Sequence, residues 1–217
     1  MLLFAHRLFG DRAGGRNEFI STAGFTGLGG EAFDDPDRAS AYGYRATPRA
    51  LLGWVLDELN PDYERTSFVD FGAGKGRVVL EAARRPFMRC LGIEISPSLH
   101  EDAEQNLMHW PRSHMACREV DYVRDSILRA KLPDGPLVIW MFNPATDRFI
   151  LRVAARLAER ATAGQQITLV YVDPRHDMPF RQAPFFRARG IKDWRIRLLS
   201  PYRVRIWQAG PQISPQS

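Results

Sequence analysis

Val69-Asp70-Phe71-Gly72-Ala73-Gly74-Lys75-Gly76-Arg77 is the stretch on which the fold turns. Phe68 to Phe71 is short, apolar and bounded by glycine, the pattern of a buried strand. Three glycines at alternate positions read as a tight turn in which backbone can approach a ligand with no Cβ in the way. Val78 to Arg85, closed by Pro86, then reads as a helix. Strand, glycine turn and helix in that order open a βαβ unit, the building block of a parallel sheet.

The same alternation extends in both directions. Upstream, Leu51, Leu52, Val55, Leu56 and Leu59 form an apolar helical stripe, with Thr47 as a cap, Pro48 at the first helical position and Asn60-Pro61 as the stop. Downstream, Cys90 to Ile95 reads as a second strand, followed by Ser96-Pro97 as cap and first turn of a helix running towards His109. Glu101, Asp102 and Glu104 suit the N-terminal half of that helix. Met115 to Val120, Leu137 to Phe142 and Ile167 to Val172 are further buried strands, with an amphipathic helix from Asp147 to Ala163 between the last two. Trp194 to Leu199 and Val204 to Trp207 flank Ser200-Pro201-Tyr202-Arg203 and read as an antiparallel hairpin. The expectation is an α/β fold: a doubly wound, mostly parallel seven-stranded sheet with a C-terminal antiparallel hairpin and helices on both faces. Residues 42–210 form that domain. Residues 1–41, with Gly14-Gly15, Gly29-Gly30 and Asp34-Asp35-Pro36-Asp37 and no sustained period, read as an N-terminal arm or lid, and 211–217 as a flexible tail.

Composition bounds the function. At 217 residues, 45% hydrophobic and 25% charged, the chain is neither collagenous nor wholly disordered, and it is long enough to bury a core without disulfides. No apolar run reaches the roughly 20 residues of a membrane span. Cys90 and Cys117 are too few for a secreted disulfide scaffold, so buried thiols and a cytoplasmic location are expected. The net charge of +5 is uneven: residues 1–108 carry 12 basic and 16 acidic residues, residues 109–217 carry 18 and 9. Such a split suits a polyanion-binding face, and an arginine-rich genome composition gives it equally.

Ligands of open α/β sheets bind beyond the carboxyl ends of the strands, where the glycine turn stands. A phosphate-binding loop needs Gly-x-x-x-x-Gly-Lys-Ser/Thr, but Lys75 is followed by Gly76 and Arg77. A dinucleotide fingerprint needs Gly-x-Gly-x-x-Gly, but Gly72, Gly74 and Gly76 make Gly-x-Gly-x-Gly. Asp70 decides among the cofactors: a carboxylate there repels a pyrophosphate and suits an amino-acid end bearing an ammonium group, as in S-adenosylmethionine. Glu94, 22 residues after Gly72, ends the second strand, where an acid accepts from both ribose hydroxyls. Asp121, placed after the third strand, can accept from the adenine amino group.

These residues resemble the class I S-adenosylmethionine-dependent methyltransferases, over about Tyr42 to Val172. The resemblance implies that Asp70, Gly72, Gly74 and Gly76 bind the methionyl end of the cofactor, that Glu94 binds ribose and that Asp121 lies near adenine. More narrowly, Arg45-Ala46-Thr47-Pro48, the helix that follows, Val69 to Gly72 and Gly76 to Ala83 are similar to the ATP synthase c-subunit lysine methyltransferase group and its bacterial relatives. That similarity makes Tyr44 and Thr47 lid contacts to the cofactor, where Thr47 is otherwise a helix cap. Phe142-Asn143-Pro144 ends the fourth strand, where the family places substrate-facing residues. It resembles the Asn-Pro-Pro-aromatic signature of amino methyltransferases, with Ala145 and Thr146 in place of the second Pro and the aromatic. Asn143 either aims an acceptor nitrogen or caps a turn.

The remaining features divide between chemistry and structure. His109, His114 and Cys117 lack a fourth ligand at zinc-like spacing, so no metal is expected. Arg148, Arg152, Arg156 and Arg160 recur every four residues and read as a solvated helix face. The basic and aromatic stretch from Arg181 to Arg205 suits RNA, and a hairpin with buried aromatics gives the same string. The functional expectation is methyl transfer to an acceptor, foremost an amine such as a protein lysine. RNA methylation and a non-catalytic S-adenosylmethionine-binding module are the alternatives.

Overall fold

The computed structural model describes residues 16–17, 20–22, 25–26 and 35–211. The rest of the expected N-terminal arm, and all but the first residue of the expected tail, lie outside the described residues.

Three short strands, β1 (Arg16–Asn17), β2 (Ile20–Ser21) and β3 (Phe25–Thr26), precede β4 (Tyr44–Arg45), which pairs antiparallel with β3. The domain then runs α1 (Arg49–Leu59), β5 (Ser67–Phe71), α2 (Arg77–Ala82), β6 (Arg89–Glu94), α3 (Pro97–His109), β7 (Val120–Arg124), β8 (Leu137–Phe142), α4 (Asp147–Thr162), β9 (Ile167–Val172), α5 (Met178–Gln182), β10 (Arg187–Arg189), α6 (Trp194–Leu198) and β11 (Val204–Ala209). One sheet of seven strands has the order β10-β11-β9-β8-β5-β6-β7. β7, β6, β5, β8 and β9 are parallel, while β11 is antiparallel to both β9 and β10.

Period-2 alternation sends the strands' side chains to two cores. Val69, Phe71, Ile139, Met141, Leu169 and Tyr171 face α4, whose Phe149, Ile150, Val153 and Leu157 form its apolar stripe. Phe68, Cys90, Val138, Trp140, Val170 and Val172 face the other side, against Leu51, Val55 and Leu56 of α1 and Val79 of α2. The chain leaves β5 towards β6 and returns to β8 on the other flank, so the crevice of a reversed strand order opens at the carboxyl ends of β5 and β8.

Local signals explain several boundaries. The Ser96 hydroxyl accepts from the Leu99 N–H at 3.2 Å with Pro97 at the first position of α3. Asn60 ends α1 in the left-handed region. Cys90 and Cys117 are buried free thiols. No helix among the described residues is long and apolar enough to cross a membrane.

Four expectations need correction. The third strand is Val120–Arg124, not Met115 to Val120: the Ala116 and Cys117 N–H groups both donate to Ala83 O, which turns that segment across the end of α2. The antiparallel pair is β10 with β11. Trp194 to Leu199, expected as its first strand, is helical because the Asp193 carboxylate accepts from the Arg195 N–H at 2.7 Å and caps α6. Thr47 does not cap α1, whose N-cap is Pro48 with no side-chain bond. The arginine row of α4 is not merely solvated: Arg152 reaches Asp37, Arg156 donates to Ile127 O and Ala130 O, and Arg160 donates to Pro133 O at 3.1 Å.

Candidate cofactor and acceptor site

The glycine turn after β5 is made by φ values that L side chains rarely adopt: +84° at Gly72, +53° at Gly74 and +82° at Gly76. Its backbone is held from three sides. The Gly74 N–H donates to Glu94 Oε2 at 2.7 Å, Asn106 of α3 donates to Lys75 O at 2.9 Å, and the Tyr122 hydroxyl donates to Gly76 O at 2.9 Å. Tyr122 is buried, which pushes its phenol well above the ordinary range. Its ring requires glycine at position 92, where an added Cβ would lie 2.4 Å from it.

Asp70 and Glu94 end neighbouring strands and differ in how they are satisfied. Glu94 is 5% exposed and takes three backbone N–H groups: Gly74, and Ile95 and Ser96 at 2.9 Å each. Asp70 is 3% exposed and has no hydrogen-bond partner among the described residues. Burial first, then the charge of Glu94, raises its carboxyl well above the usual range. A buried carboxyl without a donor is expensive to keep ionised unless a cation or donor joins it.

Both acids line a cavity at the crevice. Its floor comes from Gly72, Ala73 and Ile93 to Ile95, one end from Asp125, Ser126 and Ile127 after β7, and the other side from Phe142, Pro144 and Ala145 after β8. Tyr44 and Thr47 line it as well. Tyr44 lies on the glycine turn, so close that a Cβ at Gly74 would fall 2.0 Å from its ring, and its hydroxyl donates to Thr22 O at 2.7 Å.

Asp121 is not brought to the cavity. The downstream shift of β7 puts it second in the strand, level with Leu91, and its carboxylate pairs with Arg89 at 2.8 Å towards the opposite end of the sheet. Asp125 and Ser126 stand at the carboxyl end instead. Asn143 follows β8 with φ 37° and Asp173 follows β9 with φ 47°, two left-handed non-glycine residues on adjacent strands. The cavity lining passes from Phe142 to Pro144, and the Asn143 amide oxygen accepts from the buried Tyr171 hydroxyl at 3.4 Å. Beside them the Tyr42 hydroxyl lies 3.3 Å from His176 Nε2, and Asp173 pairs with Arg175 at 3.3 Å.

The sequence reading missed Arg77 and Asp37. Arg77 is 2% exposed, lines the cavity, and donates to Thr22 Oγ1 at 2.9 Å, Thr22 O at 3.0 Å and Thr47 O at 3.3 Å. Its position directly after the glycine turn was the one available signal. Asp37 stood in an acidic run with no pattern to set it apart.

No family model and no curated protein matches the chain. Solved structures do. An RNA methyltransferase from Salinibacter ruber, crystallised with S-adenosyl-L-homocysteine, superposes with a TM-score of 0.52 at 19% identity, over 79% of this chain and 98% of that one. The putative methyltransferase yhhF from Escherichia coli gives 0.55 at 15% identity, over 75% and 87%. A predicted N6-adenine-specific DNA methylase from Listeria monocytogenes gives 0.54 at 12%, over 79% of this chain and 56% of its own. The shared feature is the fold: the Rossmann-like sheet of the class I methyltransferases, with its C-terminal antiparallel pair.

Proposed function

We propose that the protein is an S-adenosylmethionine-dependent methyltransferase. One observation carries the reading: Asp70, buried and without a donor among the described residues, faces a cavity floored by a left-handed glycine turn, next to an acid on the following strand. A carboxylate so placed fits the ammonium of the cofactor's amino-acid end, and the turn leaves room for that end to lie against backbone. Glu94, fixed by three amides, faces the ribose, and Asp125 and Ser126 receive the adenine end. When bound, the cofactor supplies a methyl group activated by its sulfonium.

This chain's residues then have to align and dehydrate the acceptor rather than activate it. The acceptor enters beside Phe142, Tyr42 and the Asn143–Tyr171 pair, with Tyr42 and His176 at the mouth. An amine, foremost a protein lysine, is the favoured acceptor: the run from Arg45 to Pro48 and Asn143 after the fourth strand both point there, and an amine can release its proton to water after transfer. RNA is the second reading. It is favoured by the arginine-rich second half, where Trp194 and Phe185 are 60% and 50% exposed.

Calorimetric titration with S-adenosylmethionine and S-adenosylhomocysteine, with NAD and ATP as controls, tests the class. Micromolar binding of the first pair alone is expected. Binding of NAD in their place would overturn the reading. Transfer of labelled methyl to protein or to RNA in a cell extract then separates the two acceptors.

A further inference from the structure

The cavity is too small for a nucleoside. Its volume is about 80 Å³, whereas small-molecule sites span about 300–1,000 Å³. Most of its walls are strand ends and the turns they carry, which the two cores hold in place. One wall is different. Residues 37–47 cross the crevice as a single chain segment and supply Asp37, Ala41, Tyr42, Gly43 and Tyr44 to the lining.

Polar attachments, not apolar burial, hold this segment. Its only buried residues are the two at its ends, Asp37 and Thr47. At the first end, Asp37 Oδ2 accepts from the Ser126 hydroxyl at 2.6 Å and Arg129 at 3.0 Å, and Oδ1 accepts from Arg152 at 3.0 Å. In the middle, the Tyr42 N–H donates to Pro144 O at 2.8 Å and the Thr146 N–H to Ser40 O at 3.0 Å. At the far end Arg77 holds Thr47 O, and the Tyr44 ring covers the glycine turn. A segment with few buried apolar contacts opens at low cost compared with the strands beneath it.

We infer that residues 37–47 are a strap over the cofactor cavity, closed here in a form that excludes the cofactor, and that the Asp37 carboxylate, clasped by Ser126, Arg129 and Arg152, is its latch. The inference rests on the cofactor reading of the cavity. Because the latched form has no room for the cofactor, the clasp restrains entry and lowers the apparent affinity by the fraction of chains it holds closed. The side chains of Arg129 and Arg152 are 44% and 62% exposed, so salt weakens it.

The test compares the wild type with Asp37→Asn, and with Arg152→Gln as a milder second variant, using Asp121→Asn as a control at the other end of the sheet. Stopped-flow binding of S-adenosylhomocysteine should show association about tenfold faster in Asp37→Asn, the size expected for one charge-assisted hydrogen bond, with dissociation changed little. The dissociation constant should fall by a similar factor, because the latch acts only on the unoccupied form. Without ligand, amide exchange at Tyr42 and Thr146 should accelerate by a similar factor while amides of β8 and β9 are unmoved. Added salt should speed exchange in the wild type and not in Asp37→Asn. Unchanged rates and unchanged amide exchange would overturn the strap. Weaker binding at an unchanged association rate would also overturn it, since Asp37 would then be a ligand contact. If the wild type bound no S-adenosylhomocysteine yet both amides loosened in the variants, the strap would stand and the cofactor reading would fall.

Discussion

The two ends of the parallel sheet handle their carboxyl groups in opposite ways. At the amino end Arg89 pairs with both Glu119 and Asp121, and the Gln165 amide donates to Pro133 O and Gly135 O. Charged groups there are paired or stand in water, while the Ser67 hydroxyl and Arg89 Nε are buried without a partner among the described residues. At the carboxyl end a carboxyl is buried with no donor among the described residues, two non-glycine residues hold left-handed backbone, and a glycine turn is kept open by three hydrogen bonds from elsewhere in the fold. The first end is built for stability. The second gives some of it up, as a site must when a ligand is to complete its electrostatics.

The sharpest break of that contrast is Asp70→Asn. It should weaken cofactor binding by about 1–3 kcal/mol, tenfold or more, in calorimetric titration. It should also leave the free protein as stable as the wild type or more so, because it removes a buried charge. The pH dependence has a fixed sign. Burial raises the Asp70 carboxyl in the folded state, so its contribution to stability is complete below the ordinary carboxylate range and is lost as pH rises through the raised value. Thermal melts across pH should show that decline in the wild type and a flatter curve in Asp70→Asn.

Glu94→Gln should have the opposite stability effect. It leaves fewer acceptors for three backbone N–H groups and should cost about 1–3 kcal/mol in denaturant unfolding, together with affinity. Gly74→Ala forces an alanine to φ +53° under the Tyr44 ring and should cost about 1–2 kcal/mol, with cofactor binding reduced. Asp121→Asn comes last. Its ion pair is partly exposed, so melts should move by less than about 0.5 kcal/mol and binding should not change.

How far the sequence could be read follows from where the signals were local. β5, its glycine turn and β6 were legible because glycine, a short apolar run and the Ser96-Pro97 cap each act within a few residues. β7 was not: it is an edge strand in which only Tyr122 is buried, so its apolar content is low, and the Met115 to Val120 run beside it looked more like a strand. The slip of a few residues carried Asp121 from the start of the strand to its apparent end, and with it to the wrong end of the sheet. Trp194 to Leu198 was lost to a cap: five residues cannot declare a period, and the Asp193 carboxylate decides for helix. Asp37 and Arg77 depend on partners 89 and 55 residues away, Ser126 and Thr22, and no local pattern announces such contacts.

The most direct test of the central claim pairs a change in the ligand with a change in the protein. Calorimetry would compare S-adenosylhomocysteine with an analogue lacking its α-amino group, on the wild type and on Asp70→Asn. The account predicts that the wild type prefers the amine by about tenfold or more and that Asp70→Asn has no preference, since the ammonium and the buried carboxylate complete each other. Equal affinities in the wild type, or a preference that survives in Asp70→Asn, would contradict it.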